Sequence, residues 1–339
     1  YRGSRGAERH FGIFALYVSF FPQLVAGPIE RSKRLLPQFY ETHRFSWIRA
    51  VANIQLIAWG LFKKMVIADR LAPYVDQVYS QPSHFSGPDF LIATYMFAIQ
   101  IFCDFSGYTD IAIGSAGILG FRLMKNFRNP YGAVNIPDFW RRWHISLTSW
   151  FKDYVYIPLG GSRVTRGRWL INVFVVFFIS GFWHGANWTF VVWGILHAVY
   201  YYGSFYAQPL RTRAVEFLRL ARYPRLLHGL RILITFNLVS FAWIFFRANS
   251  LRDAMYIVGK LLSVSEWTFV KTLLTPTQLS ILLLCFVPVL LKRQLYSDDV
   301  SLNRRFRLDF LHFAFYALIG NYLIFFSVQS YEAFIYFQF

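Results

Sequence analysis

Three short stretches of this chain gather side chains able to move protons or hold charge. The first is Ser180-Gly181-Phe182-Trp183-His184-Gly185-Ala186-Asn187-Trp188, one imidazole set among small and aromatic residues between long uncharged runs. A neutral imidazole can take the proton of a hydroxyl, the elementary step of general-base catalysis. If one helix continues through the stretch, Ser180, His184 and Asn187 share a face by i+4 and i+3 spacing, while Gly181 and Gly185 share another that lets a neighbouring helix approach closely. The alternative is a structural histidine that bonds across helices.

The second stretch runs from Asp138-Phe139-Trp140-Arg141-Arg142-Trp143-His144 through Ile145-Ser146-Leu147-Thr148-Ser149-Trp150. Phe139, Trp143, Leu147, Trp150 and Tyr154 recur at helical spacing, which predicts one amphipathic helix with Arg141, His144 and Thr148 close together on another face. Such a helix either anchors at the headgroups through Trp and Arg or delivers His144 toward the cavity of His184 while Arg141 or Arg142 meets a phosphate.

The third is Cys103-Asp104-Phe105-Ser106-Gly107-Tyr108-Thr109-Asp110. Asp104 and Tyr108 stand one turn apart, and Gly107, Asp110, Gly114 and Gly117 form a small-residue face suited to helix packing. A buried carboxylate needs a partner, and Arg141 or Arg142 is a candidate, in a structural role or along a substrate path.

Absent motifs narrow the chemistry. The chain has no G-x-S-x-G, no H-E-x-x-H, no P-loop and no G-x-G-x-x-G, so serine-elbow catalysis, zinc proteolysis, NTP hydrolysis and dinucleotide binding lack their usual carriers. Its two cysteines lie far apart in apolar runs without metal spacing, and no metal is expected.

The elements that must position these groups are membrane helices. Of the 339 residues 56% are apolar and only 15% charged, against about 25% charged in soluble domains. Seven runs, 48–72, 90–121, 169–182, 189–206, 230–246, 278–291 and 310–328, read as helical spans. The first carries Lys63, Lys64, Asp69 and Arg70 in its second half. Basic residues gather at 31–49, 122–128, 163–168, 211–231 and 292–307, which the positive-inside rule assigns to the cytoplasm, leaving 73–88 and 247–276 as outer loops. Segments 11–29 and 135–159 have basic clusters at both ends, so neither should cross. They should dip in or lie along the surface, the first broken by Pro22, Gly27 and Pro28. The net charge of +18 is explained by this topology and by anionic lipid, or more sharply by a docking face for an acidic partner or a phosphorylated donor. Its spread over short loops argues against nucleic acid.

Arg141-Arg142-Trp143-His144 followed by Trp183-His184-Gly185-Ala186-Asn187-Trp188 resembles the membrane-bound O-acyltransferase family, in particular its bacterial branch acting on alginate and other polysaccharides. Supporting likeness lies in Phe20-Phe21-Pro22-Gln23-Leu24-Val25-Ala26-Gly27-Pro28, in Asp104-Phe105-Ser106-Gly107-Tyr108 and in the terminal Phe334-Ile335-Tyr336-Phe337-Gln338-Phe339. The resemblance implies an all-α polytopic membrane protein, a multi-helix bundle with re-entrant or interfacial helices around a funnel. It implies that residues 1–339 are one acyltransferase domain lacking several transmembrane helices before Tyr1.

The same resemblance makes His184 catalytic and His144 the second histidine; Arg141, Arg142, Asn187, Ser180, Asp104 and Tyr108, from the three stretches above, are the substrate-binding candidates. It implies an acyl-coenzyme A or acyl carrier protein donor at the basic cytoplasmic face, and no bound cofactor. The acceptor would be an extracytoplasmic polysaccharide, with serine-hydrolase-like partners outside a bacterial inner membrane. The rival class is a transporter or flippase for a polymer or lipid-linked sugar, built from the same broken helices.

Overall fold

The computed structural model of the chain describes residues 8–24, 27–263, 265, 267, 276–295, 310–328 and 334. The opening 1–7, the terminal 335–339 and the basic residues Arg304, Arg305 and Arg307 lie outside them. Among the described residues there are helices and turns and no strand. In chain order the α-helices are α1 (Phe11–Ser19), α2 (Ser32–Leu35), α3 (Trp47–Leu61), α4 (Asp69–Ser80), α5 (Gly87–Leu119), α6 (Ile136–Arg142), α7 (Ile145–Phe151), α8 (Arg166–His184), α9 (Trp188–Tyr206), α10 (Gln208–Phe217), α11 (Pro224–Arg247), α12 (Leu251–Leu262), α13 (Pro276–Cys285), α14 (Val287–Leu295) and α15 (Phe310–Phe325). Four helical stretches are long and apolar enough to cross a membrane: Trp47–Ser80, Gly87–Leu119, Arg166–His184 and Pro224–Arg247. The protein is a multi-pass, all-α membrane protein.

Three of the seven expected spans, 189–206 (α9), 278–291 and 310–328 (α15), are not among these four, and two of the seven are built differently from the expectation. The first does not stop at residue 72 but runs through Pro73 to Ser80, after a π-helical stretch, Phe62–Ala68, that interrupts the i to i−4 ladder. The carbonyl that this stretch frees at Met65 accepts the N–H of Val328 at 3.1 Å. The run at 278–291 is two helices rather than one, since Pro288 has no N–H and its ring displaces the carbonyl four residues back. That carbonyl, of Leu284, accepts the Tyr322 hydroxyl at 2.9 Å instead. The segment at 11–29 breaks as expected: α1 has nine residues, about 14 Å of helix, and a 3-10 turn follows at Phe21–Gln23.

The chain forms two compact units. The first comprises Tyr1–Arg70, Gln100–Asn126 and Leu274–Gln338. In it α3 and α5 cross where Gly60 meets Gly107; a Cβ on Gly60 would stand 2.6 Å from the Gly107 carbonyl oxygen. Gly114 lies against Ile57 and Gly117 against the Asn53 side chain, so the small-residue face expected on α5 is the packing face. Next to this crossing lies a buried ionic network that takes in Lys63, Lys64 and Asp69 from the second half of the first span. Lys63 pairs with Asp110 at 2.8 Å and donates to Ser106 Oγ at 2.8 Å, while Lys64 stands between Asp69 at 2.7 Å and Asp104 at 2.6 Å. Charge at such depth is tolerated because each ammonium is matched to carboxylates.

The second unit comprises the described residues of Leu71–Ile99 and Phe127–Leu273. Its centre is the hairpin of α8 and α9, against which α6 and α11 pack. Phe177, Val173 and Ala198 form a core closed by Trp140, Tyr156, Trp169, Tyr201 and Tyr202.

Candidate active site

The α8–α9 hairpin positions the first histidine. Glycines set how close its arms come: a Cβ on Gly181 would overlap the Phe190 carbonyl, and one on Gly194 would overlap that of Phe177. The helix does not continue through the stretch. It ends at His184, and Asn187 is the N-cap of α9, its Oδ1 accepting the Thr189 N–H at 3.1 Å. Asn187 therefore does not share a face with His184, because the chain reverses between them. Ser180, one turn before His184 on α8, is buried.

The hairpin tip is fastened to its surroundings. Asn187 Nδ2 donates to the Asn249 carbonyl at 3.1 Å, Asn249 Nδ2 donates to that of Tyr79 at 3.4 Å, and Arg247 pairs with Asp76. The end of α11, the start of α12 and the end of α4 thus meet the tip. From Arg166 to His184 α8 has 19 residues, about 28 Å, close to the thickness of bilayer hydrocarbon. His184 therefore sits at the end of the unit opposite the Arg163, Arg166 and Arg168 cluster. Its ring is half-buried. Trp183, Phe246 and Trp193 surround it at ring-centre distances of 5.0, 5.1 and 5.2 Å, each close to perpendicular.

The second histidine sits at a break. Residues 136–151 form not one helix but α6 and α7, separated at Trp143 and His144, where His144 has φ 41° and ψ 55°. This left-handed conformation is costly for a side chain with a Cβ, about 1–2 kcal/mol, and residues held there gather at functional sites. The expected common face of Arg141, His144 and Thr148 is therefore absent: His144 is turned inward and buried, whereas the Arg141 side chain is 71% exposed. His144 lies within electrostatic range of His184. Their aromatic neighbours form a chain, Trp143 against Trp243 at 5.2 Å and Trp243 stacked on Trp193 at 5.8 Å.

Arg141 and Arg142 share a carboxylate partner close by in the chain. Both reach Asp138, at 3.6 and 3.0 Å, on the helix they share. Burial works against the charge on Asp138, but the Arg142 hydrogen bond, the Val134 N–H and the two guanidinium charges outweigh it and hold the carboxyl below its ordinary range. Asn135 caps α6 through the Asp138 N–H at 2.8 Å. Asp104 and Tyr108 belong to the first unit, Asp104 paired with Lys64 and Tyr108 perpendicular to Phe334 at 4.8 Å.

Two residues on α9 escaped the sequence reading. His197 is fully buried, accepts the Trp140 indole N–H at Nδ1 over 3.3 Å and lies 5.0 Å from the ring of Trp193. The rule that marks an ionisable group inside an apolar run as a functional candidate applies to His197 as much as to His184. Among the described residues no three His, Cys, Asp or Glu side chains gather at metal-binding range.

The sequence model of the membrane-bound O-acyltransferase family matches residues 10–245, which contain both histidines. The chain is 41% identical over 251 residues to the peptidoglycan O-acetyltransferase of Helicobacter pylori, covering 74% of this chain and 46% of that protein. It is 37% identical over 308 residues to the probable alginate O-acetylase of Azotobacter vinelandii, 89% of this chain and 59% of the other. It is 30% identical over 197 residues to the teichoic acid D-alanyltransferase of Bacillus subtilis, 54% and 49% respectively. The chain spans about half the length of these relatives.

Proposed function

The chain belongs to the membrane-bound O-acyltransferase family, and from that premise we propose that it carries out the transfer of an acetyl group from a cytoplasmic thioester to a hydroxyl of an extracytoplasmic polysaccharide. The observation that carries this reading is the placement of His184: half-buried, within electrostatic range of His144, at the end of an α-helix long enough to reach it from the basic end of the hairpin. The names of the peptidoglycan, alginate and teichoic acid relatives support acylation of a cell-surface polymer.

In this reading the donor, acetyl-coenzyme A or an acetylated acyl carrier protein, docks at the cytoplasmic loops rich in arginine in a bacterial inner membrane. His184 removes the proton of the attacking hydroxyl, a contribution of about 10²–10⁴ in rate. The oxygen adds to the thioester carbonyl, the tetrahedral intermediate collapses with loss of the thiolate, and the proton held by His184 goes to that sulfur. His144 orients the donor or the intermediate. Where the attacking hydroxyl belongs to an intermediate acceptor rather than to the polymer, serine-hydrolase-like partners outside the membrane carry the acetyl group from it to the polysaccharide.

The test measures release of free coenzyme A from acetyl-coenzyme A by the full-length protein in nanodiscs with surface polymer present. Release that His184→Ala abolishes is the expected result. No release from either acetyl-coenzyme A or an acetylated carrier protein by folded protein overturns the reading and favours transport.

A further inference from the structure

One face of α9 carries polar atoms with nothing to bond. Thr189 Oγ1, Trp193 Nε1 and His197 Nε2 are buried and have no hydrogen-bond partner among the described residues. Thr189 and Trp193 are each 1% exposed, and His197 is 0% exposed. The three stand at i, i+4 and i+8, so they line a single face at intervals of about 6 Å along the axis. A buried donor without an acceptor costs about 1–3 kcal/mol, and native interiors leave few. Three in register on one helix face mark a place where a ligand can supply the complementary atoms.

The protonation of His197 follows from its one bond. Trp140 donates to Nδ1, so Nδ1 keeps its lone pair and a neutral imidazole carries its proton at Nε2. The unsatisfied atom is therefore a donor, like the indole N–H of Trp193. His197 is thereby excluded as a base at that nitrogen. Trp193 in turn touches the ring of His184 at 5.2 Å, and its other neighbours, Trp140, Trp243 and Phe246 at 5.3 to 5.8 Å between ring centres, offer no oxygen acceptor. A donor that touches the base, with a second donor 5.0 Å from it between ring centres, is an arrangement able to stabilise charge developing on an oxygen.

Resting on the acyl-transfer reading above, we propose that Trp193 and His197 bind the carbonyl oxygen of the acyl thioester through their indole and imidazole N–H groups. As the hydroxyl oxygen bonds to the carbonyl carbon, the π-electron pair moves onto that oxygen, where the two N–H groups hold it. It returns when the carbon–sulfur bond breaks and the thiolate takes the proton from His184. Both donors are already fixed before the reaction, so no reorganisation is needed at that moment.

The experiment compares kcat and KM for acetyl-coenzyme A in the full-length wild type, Trp193→Phe, His197→Phe and His197→Gln, with His184→Ala as the control for the chemistry. Phenylalanine keeps the rings and removes the N–H, while glutamine restores a side-chain N–H in place of the imidazole. The expected result is a fall in kcat of about 10²-fold for Trp193→Phe and His197→Phe, KM for the donor little changed, and partial recovery in His197→Gln. Wild-type kcat in both phenylalanine variants overturns the proposal while His184-dependent turnover leaves the acyl-transfer reading standing. Absence of His184-dependent turnover in the wild type overturns both.

Should a phenylalanine variant lose its fold, the carbonyl infrared band of acetyl-coenzyme A, labelled with carbon-13 at the carbonyl and bound to the non-reacting His184→Ala protein, decides. A band lowered relative to free donor in His184→Ala and in His184→Ala/His197→Gln supports the assignment. A band at the frequency of the free donor in His184→Ala refutes it.

Discussion

The indole of Trp193 and the imidazole of His184 meet at right angles, 5.2 Å between ring centres and 88° between planes. Phe246 stands against the same imidazole at 5.1 Å and 74°. Three rings including Trp183 thus limit how the imidazole can turn, at the last residue of a helix where a side chain would otherwise be loosely held. A base that works in one orientation gains from such confinement.

The first prediction concerns the base itself. His184→Ala should lower acyl transfer by at least about 10²-fold with little change in folding, since the ring is half-buried and its removal leaves space that borders the hairpin surface. Polymer acetylation and coenzyme A release at equal membrane abundance check this, and wild-type rates in the variant would remove His184 from the mechanism.

The hairpin gives a second prediction, this time on the fold. Gly194→Val puts branched carbons where the Phe177 carbonyl already lies, so α8 and α9 must separate. The expected cost is about 1–3 kcal/mol or more, read as a lowered thermal midpoint in detergent. Gly203→Ala on the same helix meets nothing within 4 Å and should hold or slightly raise the midpoint, because alanine favours the helix.

The positions of the hairpin and of the small-residue face on α5 were legible because composition and spacing determine them: uncharged runs of spanning length, with glycines at one-turn intervals. The break at His144 was not legible. Phe139, Trp143 and Leu147 keep helical spacing across it, and periodicity does not register a single residue in a left-handed conformation. Pairing was misread for a related reason. Asp104 and Arg142 are opposite charges in separate apolar surroundings, yet each already has a partner, Lys64 and Asp138.

A third prediction follows from that network. Lys64→Met removes the ammonium between Asp69 and Asp104 and leaves two carboxylates in the protein interior, which should cost about 3–5 kcal/mol. Adding Asp104→Leu and Asp69→Leu to Lys64→Met removes the stranded charges and should restore much of the loss. Equal thermal midpoints for the single and the triple variant would show that the network contributes by shape alone.

Asp138 supplies a pH dependence. Its folded carboxyl titrates below the ordinary range, so the stability it contributes is fully present above about pH 4 and is lost as pH falls through the lower folded value. Asp138→Asn should lose about 1–3 kcal/mol at neutral pH, the worth of hydrogen bonds to a charged group. The gap in thermal midpoint between wild type and variant should narrow on acidification below about pH 4. A gap independent of pH would contradict the pairing with Arg141 and Arg142.

His144 allows backbone and imidazole to be separated, because its φ of 41° lies where glycine is at ease and alanine is not. His144→Gly should therefore be more stable than His144→Ala by about 1 kcal/mol, although both lack the ring. If the imidazole takes part in acyl transfer, the two variants lose activity equally despite that difference. If His144 serves only to hold the break between α6 and α7, activity should follow stability, and the glycine variant should outperform the alanine one. Thermal midpoints and donor turnover measured on the same preparations distinguish these outcomes, and activity retained in His144→Gly would reduce the proposed pair of histidines to His184.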